Sequence, residues 1–227
     1  MSARYAVYFA PAVDSPWWRF GAGWLGWDEM RGKPLPQPLV HGIAREDFHE
    51  ITAEPRRYGF HATLKAPFRL REGATQQDLQ RRVDDLARQL NAVPLGAMEP
   101  VLIARFIALV PVRSPGGLAE LAARCVKDLD DLRGPMSEDD LARRAAGLSP
   151  RHRQLLEHYG YPYVLDQFRF HLTLSAKVDP ATADRLVQGT QTTLARLDAL
   201  RLDRLCVFRE DHAAAPFARV HEAELRP

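Results

Sequence analysis

Apolar and polar residues alternate most sharply in two short stretches, Phe60-His61-Ala62-Thr63-Leu64 and Phe170-His171-Leu172-Thr173-Leu174. A period of two predicts β-strands, whose successive side chains point to opposite faces. Helical spacing lies between them. Leu79, Val83, Leu86 and Leu90 recur at intervals of 4, 3 and 4 residues and mark one face of a helix over about 75–90.

The remaining pattern fills in around these elements. Residues 5–9 are aromatic and β-branched and stop at Pro11, as an opening strand would. All four tryptophans fall in 14–40 among glycines and prolines, predicting an ordered loop anchored by aromatics. A short helix follows at 44–50, then a strand at 57–70 bent near Pro67. One or two strands are expected at 101–112 and a helix at 118–132. Ser137 ahead of Glu138-Asp139-Asp140, and Ser149 ahead of Pro150, are helix starts. Residues 161–164 and 167–177 read as strands, 181–197 as a helix, and 200–209 and 217–225 as two final strands.

The order strand, helix, strand therefore occurs twice, over 57–112 and 167–225, and each copy opens on a His-x-Thr stretch 110 residues from the other. This predicts an α+β fold in a single domain, 1–227, that is duplicated and bilobal about a pseudo-twofold axis. Two antiparallel sheets should form a central cleft, with helices outside and a helical insertion at about 118–158.

Strand alternation puts Arg57, Gly59, His61, Thr63 and Lys65 on one face of the first copy and Arg169, His171, Thr173 and Ser175 on the matching face of the second. Two imidazoles and two hydroxyls converging on one cleft suit a phosphate. Histidine titrates near neutral pH, so one ring can act as base while the other acts as acid. The alternation does not say which is which. Thr63 and Thr173 can donate to nonbridging phosphoryl oxygens, and Lys65, Arg169 and Ser175 are candidate substrate contacts.

Composition narrows the partners. Thirty-one Lys and Arg against 29 Asp and Glu give a net charge of +2, too little for a broad field around long nucleic acid. Cys125 and Cys206 have no paired spacing, so neither a metal nor a cofactor is expected, and two reduced thiols suit the cytoplasm. No apolar run is long enough to cross a membrane or to act as a signal peptide. No obligate protein partner is indicated.

His61-Ala62-Thr63-Leu64 and His171-Leu172-Thr173-Leu174 resemble the paired motifs of the two-histidine (2H) phosphoesterase superfamily, which includes cyclic nucleotide phosphodiesterases and RNA 2′,3′-cyclic phosphodiesterases. The resemblance implies a bilobal fold, a metal-free mechanism, catalytic roles for His61 and His171, and phosphate binding by Thr63 and Thr173. A narrower likeness runs through residues 4–9, Trp24-Leu25-Gly26, residues 58–65 and Gly160-Tyr161-Pro162-Tyr163-Val164. It is similar to the uncharacterised branch found with bacterial phosphonate-utilisation (carbon-phosphorus lyase) genes, which implies a cyclic ribose phosphate as substrate. The leading expectation is hydrolysis of a cyclic or linear phosphodiester of a small nucleotide or ribose phosphate. Processing of RNA ends is the alternative within the same chemistry. A noncatalytic module that binds phosphometabolites is the alternative outside it.

Overall fold

A computed structural model describes residues 3–227. After β1 (Arg4–Phe9) the tryptophan-rich stretch forms a helix, α1 (Pro16–Leu25), where the glycines and prolines predicted a loop. Local signals explain the difference. The Ser15 hydroxyl accepts from the Trp18 amide at 3.1 Å, Pro16 sits in the first turn, and Gly26 ends the helix at φ 76°. Gly21 is a packing glycine, because a Cβ there would lie 1.9 Å from the Phe60 ring. The anchoring role of the aromatics holds: the Trp17 and Trp24 indoles donate to the Asp198 and Leu174 carbonyls at 2.9 and 3.0 Å.

The hairpin β2 (Trp27–Asp28) and β3 (Lys33–Pro34) leads to α2 (Arg45–Ile51), α3 (Ala53–Arg56) and the first motif strand, β4 (Ala62–Phe68). Residues 57–61, expected as strand, form a turn instead. The Tyr58 and Gly59 amides bond back to the Pro55 and Arg56 carbonyls, and Gly59 adopts φ 74°. His61 thus stands at the mouth of β4.

Next come α4 (Gln76–Ala87), β5 (Val93–Gly96), β6 (Met98–Ile103) and β7 (Phe106–Pro111). Thr75 and Asp78 cap α4 reciprocally, and Leu79, Val83 and Leu86 form its buried face. The inserted segment contains α5 (Leu118–Lys127), α6 (Glu138–Ala145) and α7 (Pro150–Tyr159). Residues 161–164 do not form the expected strand; they pass through a 3₁₀ turn, Leu165–Gln167, into the second motif strand, β8 (Leu172–Lys177). The chain finishes with α8 (Pro180–Leu194), β9 (Leu200–Leu202), β10 (Arg204–Glu210) and β11 (Ala218–Glu224).

The series β4-α4-β5-β6-β7 and β8-α8-β9-β10-β11 match element for element, yet neither forms a sheet of its own. One antiparallel sheet runs β11-β10-β1-β4 and the other β6-β7-β8. The hairpin that follows each motif strand therefore pairs in the sheet of the other motif strand. β5 and β9 pair antiparallel with each other. Val7, Phe9, Leu205 and Val207 bury one face of the larger sheet in a core shared with Leu109, Leu172 and Leu174 of the smaller. On its opposite face Tyr8, Phe208 and Phe217 form a separate cluster. That second face underlies the first histidine.

Candidate active site

Both motif strands lie at a sheet edge and carry a register shift after the threonine. In β4 the register against β1 shifts between Tyr8↔Thr63 and Val7↔Lys65; in β8 the register against β7 shifts between Ala108↔Thr173 and Phe106↔Lys177. β4 takes up one extra residue just after Thr63 and β8 takes up two between Thr173 and Lys177, and the inside-outside alternation is interrupted in each. Leu64 and Lys65 are buried in succession, as are Leu174 and Ser175.

In the first copy this interruption moves Lys65, which simple alternation groups with His61, away from the cleft, whereas Ser175 in the second copy keeps a place in the wall of the pocket that Thr173 lines. Lys65 is 3% exposed and its ammonium donates to the Val126 carbonyl at 3.0 Å and to Asp130 Oδ1 at 2.9 Å. The Ser175 hydroxyl accepts from the Ile107 amide and donates to the Ala176 carbonyl, both at 2.8 Å. Ala66 borders the cleft beside Thr63, and Ala176 borders it beside Thr173 together with Ser175. Arg169 is exposed and lines a separate depression with Val110, Pro115 and Phe168. Arg57 is engaged with Glu210 and with the Ala215 carbonyl.

The histidines are held alike. His61 Nδ1 lies 3.0 Å from the Gly59 carbonyl and His171 Nδ1 lies 2.9 Å from the Arg169 carbonyl, in each case two residues upstream. A carbonyl only accepts, so Nδ1 carries the hydrogen and Nε2 is left for chemistry. His61 Nε2 is 3.3 Å from the Thr63 hydroxyl.

Their surroundings differ. The His61 ring stacks on Tyr8 with centroids 3.8 Å apart and planes 30° apart, whereas His171 has Phe106 at 5.8 Å. Burial pushes the pKa of His61 down to about 4; the Gly59 carbonyl opposes the shift and the charge of His171 adds to it. His61 is therefore neutral at pH 7, with a lone pair on Nε2. Burial also raises Tyr8 well above the usual phenol range.

Two pockets of about 280 Å³ each meet at His61 and Tyr58. Thr173, Ser175, Pro55 and Phe106 line the first, with Glu54 and Lys177 supplying opposite charges. Thr63, Tyr8, Tyr161, Arg4 and Arg144 line the second. Strand alternation alone missed Arg4, Tyr8, Tyr58, Arg144 and Tyr161, because they arrive from β1, the pre-strand turn and the insertion. Arg4 and Arg57 share the carboxylate of Glu210, which is 1% exposed; the two guanidiniums outweigh its burial and hold it below the usual carboxylate range.

Over 224 residues, covering 94% of its length, the chain is 40% identical to a protein named ribose 1,5-bisphosphate phosphokinase PhnN from Janthinobacterium sp. (strain Marseille). It is 38% identical over 176 residues to a protein of the same name from Laribacter hongkongensis (strain HLHK9). The aligned parts are 49% and 40% of those proteins, so the chain spans less than half of each. A crystal structure of E. coli LigT complexed with NADP+ overlaps it loosely, with a TM-score of 0.40 and 11% identity over the whole of both chains. Residues 63–218, well over half of the sequence, match a single family, and the chain belongs to it: the family described as protein of unknown function (DUF1045).

Proposed function

We propose that this protein is a metal-independent phosphodiesterase that opens a cyclic phosphodiester of a ribose phosphate or small nucleotide. The observation that carries the reading is the duplicated histidine geometry: each ring is fixed through Nδ1 by a carbonyl two residues upstream, and each is followed by a threonine on the same face. In the proposed step His61 Nε2 takes a proton from water as the water oxygen bonds to phosphorus. The opposite P–O bond breaks, and its electrons leave on the sugar oxygen, which takes a proton from His171 Nε2. Thr63 and Thr173 donate to the nonbridging oxygens.

The assignment of His61 as base follows from its neutrality in the unliganded cleft and from the Thr63 hydroxyl beside its lone pair. Two pockets of about 280 Å³ favour a small substrate over an RNA strand. The relatives are named for a kinase of ribose 1,5-bisphosphate. This chain has no Gly-x-x-x-x-Gly-Lys-Ser/Thr phosphate loop, so a linked ribose phosphate rather than the kinase step is the natural extension to it. Its proposed place is phosphonate metabolism in the cytoplasm.

Hydrolysis of cyclic ribose phosphates, cyclic nucleotides and RNA 2′,3′-cyclic ends, assayed in excess chelator, tests the reading. His61→Ala and His171→Ala should each lower kcat at least about 100-fold, the usual worth of one acid or base. Binding without turnover of any substrate would leave a phosphometabolite-binding module. Loss of turnover in chelator would refute metal independence.

A further inference from the structure

We propose that the substrate bears a phosphomonoester in addition to the scissile diester, and that Arg144, Tyr161 and Tyr8 receive it in the pocket beside Thr63. This rests on the phosphodiesterase reading and names the substrate class more narrowly: a doubly phosphorylated sugar or nucleoside.

The charge of the two pockets carries the argument. The Thr173 pocket holds one carboxylate, Glu54, and one ammonium, Lys177. The Thr63 pocket is lined by Arg4 and Arg144 and by no carboxylate. Glu210 behind it is shared by Arg4 and Arg57, so this trio keeps one net positive charge. Arg144 adds another. Its neighbour Arg143 is engaged by Asp140, whereas Arg144 has no hydrogen bond or ion pair among the described residues. An unpaired guanidinium at the wall of a catalytic cleft is a ready anion partner, because its forked donors match phosphate.

The phenols point to the same ligand. Tyr8 is 1% exposed and its hydroxyl, like that of Tyr161, makes no hydrogen bond among the described residues. Burial pushes Tyr161 up to about 12, so both phenols stay protonated and can donate. Both hydroxyls stand at the wall of this pocket free to donate, and an acceptor-rich phosphate would engage both. A role in sugar recognition alone would not call for two net positive charges. Arg144 and Tyr161 also give the insertion a use, since α6 and the segment after α7 bring them to the cleft.

The test compares adenosine 2′,3′-cyclic phosphate with its 5′-phosphorylated counterpart and measures binding of ribose 5-phosphate by calorimetry. The 5′-phosphate should raise kcat/KM about 10- to 100-fold, the range expected of one or two charge-assisted hydrogen bonds. Arg144→Ala should collapse that ratio toward one and weaken ribose 5-phosphate to a similar degree, with partial recovery in Arg144→Lys. Arg144 is exposed, so its loss should leave the fold intact. Equal kcat/KM for both nucleotides, with His61-dependent turnover retained, would overturn the second-phosphate site and leave the proposed function standing. Arg144-dependent binding of ribose 5-phosphate without turnover of any diester would do the reverse.

Discussion

If Tyr8 and the surrounding walls keep His61 dry, its protonation should couple strongly to folding. The imidazole goes from about 6.5 when solvated to about 4 in the folded protein. Between those values the unfolded chain holds a proton at this position that the folded protein lacks, so stability rises with pH across the window. A shift of about 2.5 units at about 1.4 kcal/mol per unit gives roughly 3 kcal/mol lost between pH 7.5 and pH 3.5 through this one ring. Urea unfolding over that range, compared with His61→Asn, isolates the contribution, because the asparagine variant lacks the proton equilibrium. The ring's own midpoint can be read from its imidazole Cε1–H NMR signal. Tyr8→Ala removes the stacked ring at 3.8 Å, admits water and should return the midpoint toward 6.5. A wild-type His61 midpoint above about 6, or a pH dependence identical in the asparagine variant, would refute the desolvation argument.

Three further outcomes are expected from unfolding measurements. Gly21→Ala should cost about 1–3 kcal/mol because its Cβ collides with Phe60, whereas Gly23→Ala, which meets nothing within 4 Å, should gain up to about 1 kcal/mol of helix propensity. Arg219→Ala should cost about 3–5 kcal/mol, since it strands the fully buried Glu29 carboxylate that it contacts at 2.6 Å. Lys65→Met should lower stability by about 1–3 kcal/mol by unpairing the Val126 carbonyl, with Asp130 kept by Arg133, while kcat/KM changes less than about tenfold; a larger activity loss at unchanged stability would return Lys65 to the substrate.

The chain's periodicity made the helices and most strands legible, because long amphipathic stretches announce themselves locally: α4 and α8 lie where spacing and caps predict them. The turn at 57–61 was not legible, since Arg57 to His61 alternate much as a strand does and only the hydrogen bonds from Tyr58 and Gly59 reveal the turn. α1 was hidden by its glycines, of which Gly21 is required by the Phe60 ring, a tertiary contact invisible to local propensity. At the candidate site, each His-x-Thr pair could be located because its residues are consecutive in the chain, spanning the entry to one strand. The burial of Lys65 could not be read, because a bulge changes the face without changing the sequence period. The second pocket was illegible for a different reason: Arg4, Tyr58, Arg144 and Tyr161 come from four distant segments that only the fold assembles.

Duplication also raises a chemical difficulty that the fold resolves. Two copies of one motif supply two equal imidazoles, while the proposed hydrolysis needs one ring that accepts a proton and one that donates it. The copies match in the groups that hold the rings: the same carbonyl clamp two residues upstream and the same threonine two residues on. They become unequal through β1, which has no counterpart in the repeat. In the smaller sheet β7 pairs directly with the motif strand β8, but in the larger sheet β1 stands between β10 and β4. That extra strand puts Tyr8 opposite Thr63 and under the His61 ring, and burial then holds His61 neutral. Arg4 reaches the same cleft from the same strand. A single added strand thus breaks the chemical symmetry of the motif pair and carries one of the two arginines that make the Thr63 pocket cationic.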